Sequence, residues 1–194
     1  MNNYEYIIAG LPVYRQDSVK PENFDADALI DEIVELSSRK DSEVISFLLS
    51  TYDEEKLNGD LYDAAAGSGN PFIREYFEFD RRVRNEKARY LNAQLGRNPD
   101  QDTIVLDPEE GEYDGADEIK AVLGRSDLLE REKGLDDLYW RKSEELVIDK
   151  VFSLDVILAF IVRLKILDRW FKLDPKRGKE LFRDLIREIR KTKE

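Results

Sequence analysis

The chain has 194 residues, of which 41% are apolar and 38% are charged, and it contains neither cysteine nor histidine. This apolar content suffices for a core, and the missing residue types exclude disulfide scaffolds, thiolate metal sites and histidine-dependent catalysis. The net charge of −12 argues against nucleic-acid binding, which requires cations that neutralise phosphates. The longest apolar run, Val156 to Val162, is too short to span a membrane. We expect a cytoplasmic protein that needs no metal and no cofactor.

The first part of the chain predicts one short strand and two helices. Tyr4–Ala9 resembles a strand, which Gly10-Leu11-Pro12 ends. Asp25 is a favourable N-cap for a helix whose apolar side chains share one face. A second helix follows, with Asp41 or Ser42 as its N-cap. The short link between these helices predicts an antiparallel pair.

A long helix is the strongest prediction in the middle of the chain. The small and polar residues of Ala64–Pro71 indicate a flexible loop. Large apolar residues then recur at spacings of three and four over Phe72–Arg97, which predicts a helix of about seven turns. Gly96 is typical of a helix C-terminus.

Residues 98–118 contain nine acidic residues and no basic one, and we call this segment the acidic loop. It predicts an exposed connection with a short strand at Thr103–Leu106. The loop divides the chain into an N-terminal helical part, residues 1–97, and a C-terminal helical part, residues 119–194. We expect both parts to share one core.

The C-terminal part predicts further helices near Asp117–Leu123 and Asp127–Lys133. Ser153 is the N-cap of a helix that extends to Leu173, and its first half is apolar on all sides, as in the centre of a bundle. Asp174 and Pro175 then predict the start of a last amphipathic helix. The fold class is therefore all-α, a helical bundle with a minor two-strand component.

No motif in the sequence predicts catalysis or metal binding. If Gly115 takes the sixth position of a calcium loop, Ala121 takes the twelfth, where a glutamate is required. The glycine-rich segments lack the spacing of phosphate-binding loops. We therefore expect no enzyme, because a carboxylate-dependent one would need a deep pocket with converging acids of perturbed pKa.

Charge segregation suggests where a partner binds. The candidate residues are basic and lie on the long helix and the last helix: Arg81, Arg82, Arg84, Lys87, Lys179, Arg183 and Arg187. One interpretation is a solvated helix face, paired with nearby glutamates. The other is a docking surface for an acidic partner or for the acidic loop itself. On the docking hypothesis, reversing Arg81, Arg82 and Arg84 to glutamate slows association with the partner and leaves the fold intact.

Three segments carry a resemblance to a known family: Tyr4–Pro12, Phe77–Asn85 (Phe-Glu-Phe-Asp-Arg-Arg-Val-Arg-Asn) and Ile166–Trp170. The chain resembles a bacterial family of unknown function that is encoded with the subunits of V-type ATP synthases. That family is similar in layout to the stalk subunit called C or d, although this chain is far shorter. The resemblance implies a non-catalytic coupling or accessory subunit whose partners are other ATP synthase subunits. A free-standing helical adaptor or regulator is the alternative.

Overall fold

A computed structural model describes residues 3–18, 20–107, 111 and 113–173. Within these ranges the chain is mostly helical, as the sequence predicts. Two short 3-10 turns, Ser50–Tyr52 and Glu54–Lys56, join the third and fourth helices. The eight α-helices found in this part of the chain are α1 (Tyr4–Gly10), α2 (Ala26–Leu36), α3 (Arg39–Leu49), α4 (Gly59–Ala66), α5 (Pro71–Gln94), α6 (Ala116–Leu123), α7 (Leu128–Glu145) and α8 (Leu154–Lys172).

The predicted two-strand component is wrong, because no strand occurs in the described ranges. Tyr4–Ala9 lies in α1, where Ile7 is buried and the residues at helical spacing around it pack on the same core. Thr103–Leu106 has no regular structure. The main chain of Ile104 bonds to the side chain of Asn85 instead of to a second strand.

Most helix ends follow from local sequence. The Asp25 carboxylate accepts hydrogen bonds from two backbone N–H groups of α2, which confirms the predicted N-cap. The N-cap of α3 is Ser38, three residues before the predicted Asp41, because the Ser38 side chain accepts from the Asp41 N–H. Asn70 caps α5 and Pro71 occupies its first turn. Gly96 follows α5 with φ +67°, a conformation that favours glycine.

Helix α4 corrects the prediction of a loop that begins at Ala64. Asn58 caps this helix through the Leu61 N–H, and Tyr62 and Ala65 are buried against α5. Small residues allow a close helix contact here, so the run of alanines belongs to a packed helix. The loop is confined to the short connection before Pro71.

Helix α8 lies in the main apolar core, as its sequence predicts. Ile157 to Val162 are all buried, together with residues of α2, α3, α4 and α5. A second, smaller cluster joins the middle of α5 to α6 and α7. No helix in the described ranges combines the length and the apolar content that a membrane crossing requires.

Gly134 allows α7 to approach α6 closely. A Cβ atom there would lie 2.7 Å from Val122 Cγ1 and 2.5 Å from the guanidinium of Arg125. We predict that Gly134→Ala lowers the free energy of unfolding by about 1–3 kcal/mol, because the neighbours must shift to relieve the overlap. Urea denaturation measures this change.

Gly67→Ala is the matched control, since the nearest neighbour of its Cβ would be the Ala64 carbonyl oxygen, at an ordinary contact distance of 3.7 Å. The control is expected to unfold at the wild-type urea concentration or above it. A Gly134→Ala protein as stable as the wild type contradicts the close approach.

Candidate functional site

A buried carboxylate, Asp80 of α5, is the centre of a polar network. Its Oδ2 accepts hydrogen bonds from the Tyr62 hydroxyl at 2.6 Å and from Arg84 Nε at 2.8 Å. Its Oδ1 accepts from the Tyr139 hydroxyl at 2.8 Å. Arg84 also donates to the carbonyl oxygen of Thr51 at 3.1 Å. The network therefore joins α4, α5, α7 and the first 3-10 turn.

The electrostatics of this network hold its members in fixed protonation states. Burial alone would lower the pKa of Arg84, but the charge and hydrogen bond of Asp80, together with the neighbouring tyrosines, raise the pKa overall. Burial, followed by the charge of Asp80, raises the pKa values of Tyr62 and Tyr139 above their ordinary value. Burial raises the pKa of Tyr76 as well, with the neighbouring Tyr52 as the next cause. The tyrosines act as neutral donors around one ion pair.

The acidic loop lies against the other side of α5. Asn85 accepts from the Ile104 N–H and donates to the Ile104 carbonyl oxygen, both at 2.9 Å. Arg81 donates to the same carbonyl oxygen at 3.1 Å. Arg89 donates to the Asp100 carboxylate at 2.7 Å. Basic and amide side chains of the long helix thus bind the protein's own acidic loop.

Of the alternatives for the basic row, Arg81 fits the one in which it binds the protein's own acidic loop. Its side chain is only 2% exposed and donates to Glu78 as well as to the loop. Arg82 also binds Glu78, at 2.7 Å, and its guanidinium lies over the ring of Tyr113. Reversing these arginines to glutamate would bury a negative charge beside Glu78, so we expect such a variant to be less stable than the wild type.

The other candidate residues are distributed differently. Arg84 belongs to the Asp80 network, and Lys87 donates to Glu132 of α7 at 3.1 Å. Both line a cleft on the far side of α5 from the acidic loop. Lys179, Arg183 and Arg187 lie outside the described residues.

The cleft has a volume of about 450 Å³ and lies between α5, α7 and α8. Its floor includes Tyr76, Asp80 and Leu135, and the ring of Tyr52 forms part of its wall. Cationic side chains at helical spacing on α8 line one side of it. These are Lys165, Arg169 and Lys172.

Acidic side chains of α7 face these cations. Glu132 binds both Lys87 and Arg169, at 3.1 and 3.3 Å. Asp136 accepts from Arg169 and, at 2.6 Å, from the Trp170 indole N–H. Burial raises the pKa of Asp136 despite the nearby Arg169, whereas the two cations outweigh burial at Glu132 and lower its pKa. The cleft thus contains neighbouring carboxyl groups with opposite pKa shifts.

Metal binding has no obvious place in the described ranges. No group of three or more Asp, Glu, His or Cys side chains there is arranged to hold an ion. The acids of the cleft are engaged instead by arginine, lysine, tyrosine and tryptophan donors.

The sequence did not predict the Asp80 network or the cleft, although it shows charged residues of both at helical spacing. Asp80 and Arg84 stand four residues apart on α5, as do Glu132 and Asp136 on α7. Residues separated by three or four positions share a helix face, so each pair marks a charged face. The tyrosine partners come from other helices, and no local pattern identifies them.

We predict that Asp80→Ala lowers the free energy of unfolding by about 3–5 kcal/mol, because Arg84 loses its carboxylate in a partly buried position. The hydroxyls of Tyr62 and Tyr139 lose their acceptor too. Urea denaturation measures the loss. Asp63→Ala, at an exposed position on α4, is the control and should change stability by less than about 0.5 kcal/mol.

The double variant Asp80→Leu with Arg84→Met tests whether the loss comes from the unpaired charge. Removing both partners leaves no isolated ion, so this variant should be more stable than Asp80→Ala. An Asp80→Ala protein that loses less than about 1 kcal/mol contradicts a structural role for the network.

The buried tyrosines predict instability in alkali. The folded chain keeps the protons of Tyr62, Tyr76 and Tyr139 at pH values where the unfolded chain releases them. The folded state then binds more protons, so stability is full below pH about 10 and falls above it. The expected slope is about 1.4 kcal/mol per pH unit for each tyrosine.

Urea denaturation at a series of alkaline pH values measures this slope, and tyrosinate absorbance reports ionisation. Tyr76→Phe should make the slope shallower by one tyrosine, and Tyr6→Phe, at an exposed position, is the control. Ionisation of the buried tyrosines before the helical signal is lost would contradict the prediction.

Comparison with known proteins gives a family. Searches of curated proteins and of solved structures each gave no match. Residues 52–193 match a family of proteins, and this range includes α5, α7 and α8 and hence all of the Asp80 network and the cleft except Thr51. The chain therefore belongs to the family described as "Protein of unknown function (DUF2764)".

Proposed function

We propose that this protein is a non-catalytic accessory or coupling subunit of a bacterial V-type ATP synthase and acts through protein–protein contacts. The resemblance of its three segments to proteins encoded with such enzymes supplies the partner. One structural observation carries the contact: exposed apolar side chains are concentrated in the loop that joins α7 to α8, residues 146–153.

Three large apolar residues of this α7–α8 loop are exposed. Ile148 is 87% exposed, Val151 65% and Phe152 53%. They lie at the end of a hairpin formed by α7 and α8, the two longest helices among the described residues of the C-terminal part. Exposed apolar groups that are close together favour burial against another protein, and aromatic residues contribute strongly to such interfaces.

Buried polar side chains bond to other groups of the protein itself, which supports a binding role over a catalytic one. Asp80 is buried, and both of its oxygens accept from protein donors. Arg81 and Asn85 hold the acidic loop. These residues stabilise the fold, whereas the exposed apolar side chains of the α7–α8 loop are available to a partner.

A carboxylate-dependent enzyme is the second candidate, because the cleft brings Asp80, Glu132 and Asp136 together. The raised pKa of Asp136 and the lowered pKa of Glu132 are a pattern found at acid–base sites. Their ion pairs with Arg169 and Lys87 favour a structural role. An activity in a hydrolase screen that Asp136→Asn abolishes would support the enzyme instead.

The test of the accessory role uses the full chain, carrying an affinity tag, in its native host. We predict that V-type ATP synthase subunits co-purify with it and that Ile148→Asp with Phe152→Ser removes them. A buried aspartate in an apolar contact loses its hydration without gaining a partner, so the affinity falls by at least about tenfold. Quantitative mass spectrometry of the purified complexes measures the result.

Leu128→Asp with Leu129→Ser is the matched control. Both leucines are exposed and lie at the other end of α7, about 27 Å along an 18-residue helix. The control should retain the subunits, and thermal melts should show that both double variants fold. Co-purification that survives the loop change would overturn the proposed contact. Recovery of other proteins without ATP synthase subunits would favour the free-standing adaptor.

A further inference from the structure

The cleft between α5, α7 and α8 has the dimensions of a small-molecule site. Its volume of about 450 Å³ lies within the usual range of such pockets. Three helices and the first 3-10 turn contribute its walls, so it is framed by regular structure. A folded protein segment of helix width would not fit inside, which makes a single small molecule the natural occupant.

Charge is distributed unevenly between the floor and the mouth of this cleft. The lining acids are Asp80, Glu132, Asp136 and Asp168, and their side chains are 3–29% exposed. The lining cations are Arg84, Lys87, Lys165, Arg169 and Lys172, and their side chains are 20–65% exposed. The cations other than Lys165, whose side chain is 20% exposed, are more exposed than every one of these acids and lie nearer the mouth.

Five cations and four acids line the cleft, a slight excess of positive charge in a chain whose net charge is −12. Lys165, Arg169 and Lys172 occur at spacings of four and three on α8, so one helix face presents all three. Arg84 and Lys87 face the same space from α5. Lys165 pairs with Asp27 at 2.8 Å and Lys172 pairs with Asp168 at 2.6 Å. Partly exposed ion pairs of this kind are worth little in water, so both amino groups can turn to a bound anion at low cost.

The wall of the cleft offers an aromatic surface. Tyr52 is 43% exposed although its hydroxyl lies beside that of the buried Tyr76. Its ring therefore faces the cleft and is fixed at one end. Val83, Leu135 and Ile166 add apolar lining. A flat apolar group could pack here while an acidic group reached the mouth.

We infer that this cleft binds a small organic anion, with an aromatic body against Tyr52 and an acidic group at Lys165 and Lys172. The chemical class is that of an aryl carboxylate, sulfonate or phosphate. The inference goes beyond the proposed contact with ATP synthase subunits and does not depend on it, because the cleft and the α7–α8 loop share no residue.

Two probes of matched shape test the inference. The dye 8-anilinonaphthalene-1-sulfonate carries an aromatic body and one anionic group, and N-phenyl-1-naphthylamine has the same body without the charge. Titration of the purified full chain, followed by fluorescence, gives each dissociation constant. We expect the sulfonate to bind more tightly than the neutral probe and to lose affinity as salt is added.

Lys165→Gln with Lys172→Gln should weaken sulfonate binding by about tenfold or more and leave the neutral probe unchanged, because charged hydrogen bonds are lost. Lys20→Gln with Lys40→Gln removes the same charge at exposed positions elsewhere and should have no effect. Tyr52→Ala should weaken both probes, whereas Tyr52→Phe should weaken neither. Thermal melts establish that each variant is folded.

The inference is overturned if the two probes bind the wild-type chain equally or if neither binds. It is also overturned if the lysine change at the cleft has no more effect than the control change. A sulfonate signal that Ile148→Asp with Phe152→Ser abolishes would place the dye on the α7–α8 loop and reject the cleft.

Discussion

Burial of the Asp80 carboxylate is the constraint around which the helices are arranged. An ionised carboxylate inside a protein must be paired and hydrogen-bonded, since an isolated buried charge costs several kcal/mol. No single helix can supply donors to both of its oxygens from opposite sides. Tyr62 of α4, Arg84 of α5 and Tyr139 of α7 do so together. These hydrogen bonds fix the orientation of α4 and α7 about their own axes relative to α5. Apolar packing alone would allow a wider range of orientations.

The same stretch of α5 also fixes the acidic loop. Successive residues of a helix point about 100° apart, so Asp80 and Arg81 serve different sides of one turn. Asp80 turns to the tyrosines, while Arg81 and Asn85 bind the main chain of Ile104. A loop with nine acidic residues needs such anchors, because it has few apolar side chains to bury. One short segment, Phe77–Asn85, therefore organises the core on one side and the loop on the other.

Periodicity in the sequence predicted the helices and the buried face of α8, because burial in a bundle repeats every three or four residues. It did not predict what covers each face. Arg81 belongs to a basic row, and only the non-local contact with Ile104 shows that its own loop covers it. Tyr4–Ala9 fits a strand as well as a helix, and packing of Ile7 on the core decides for the helix. The cleft is formed by three helices that are far apart in the sequence. The sequence shows the charged face of each helix, but it does not show that these faces meet in the fold.

The two surfaces assigned to binding lie at different ends of the α7–α8 hairpin. The α7–α8 loop precedes α8 at Leu154, whereas the α8 residues of the cleft begin at Lys165, about 17 Å further along the helix axis. A partner that contacted the loop alone would therefore not touch the α8 residues of the cleft. Helix α8 connects the two sites and is buried along most of its length, so it acts as a rigid spacer between them. If both proposals hold, the small anion and the protein partner would bind at separate places along α8 and would not compete for the same residues.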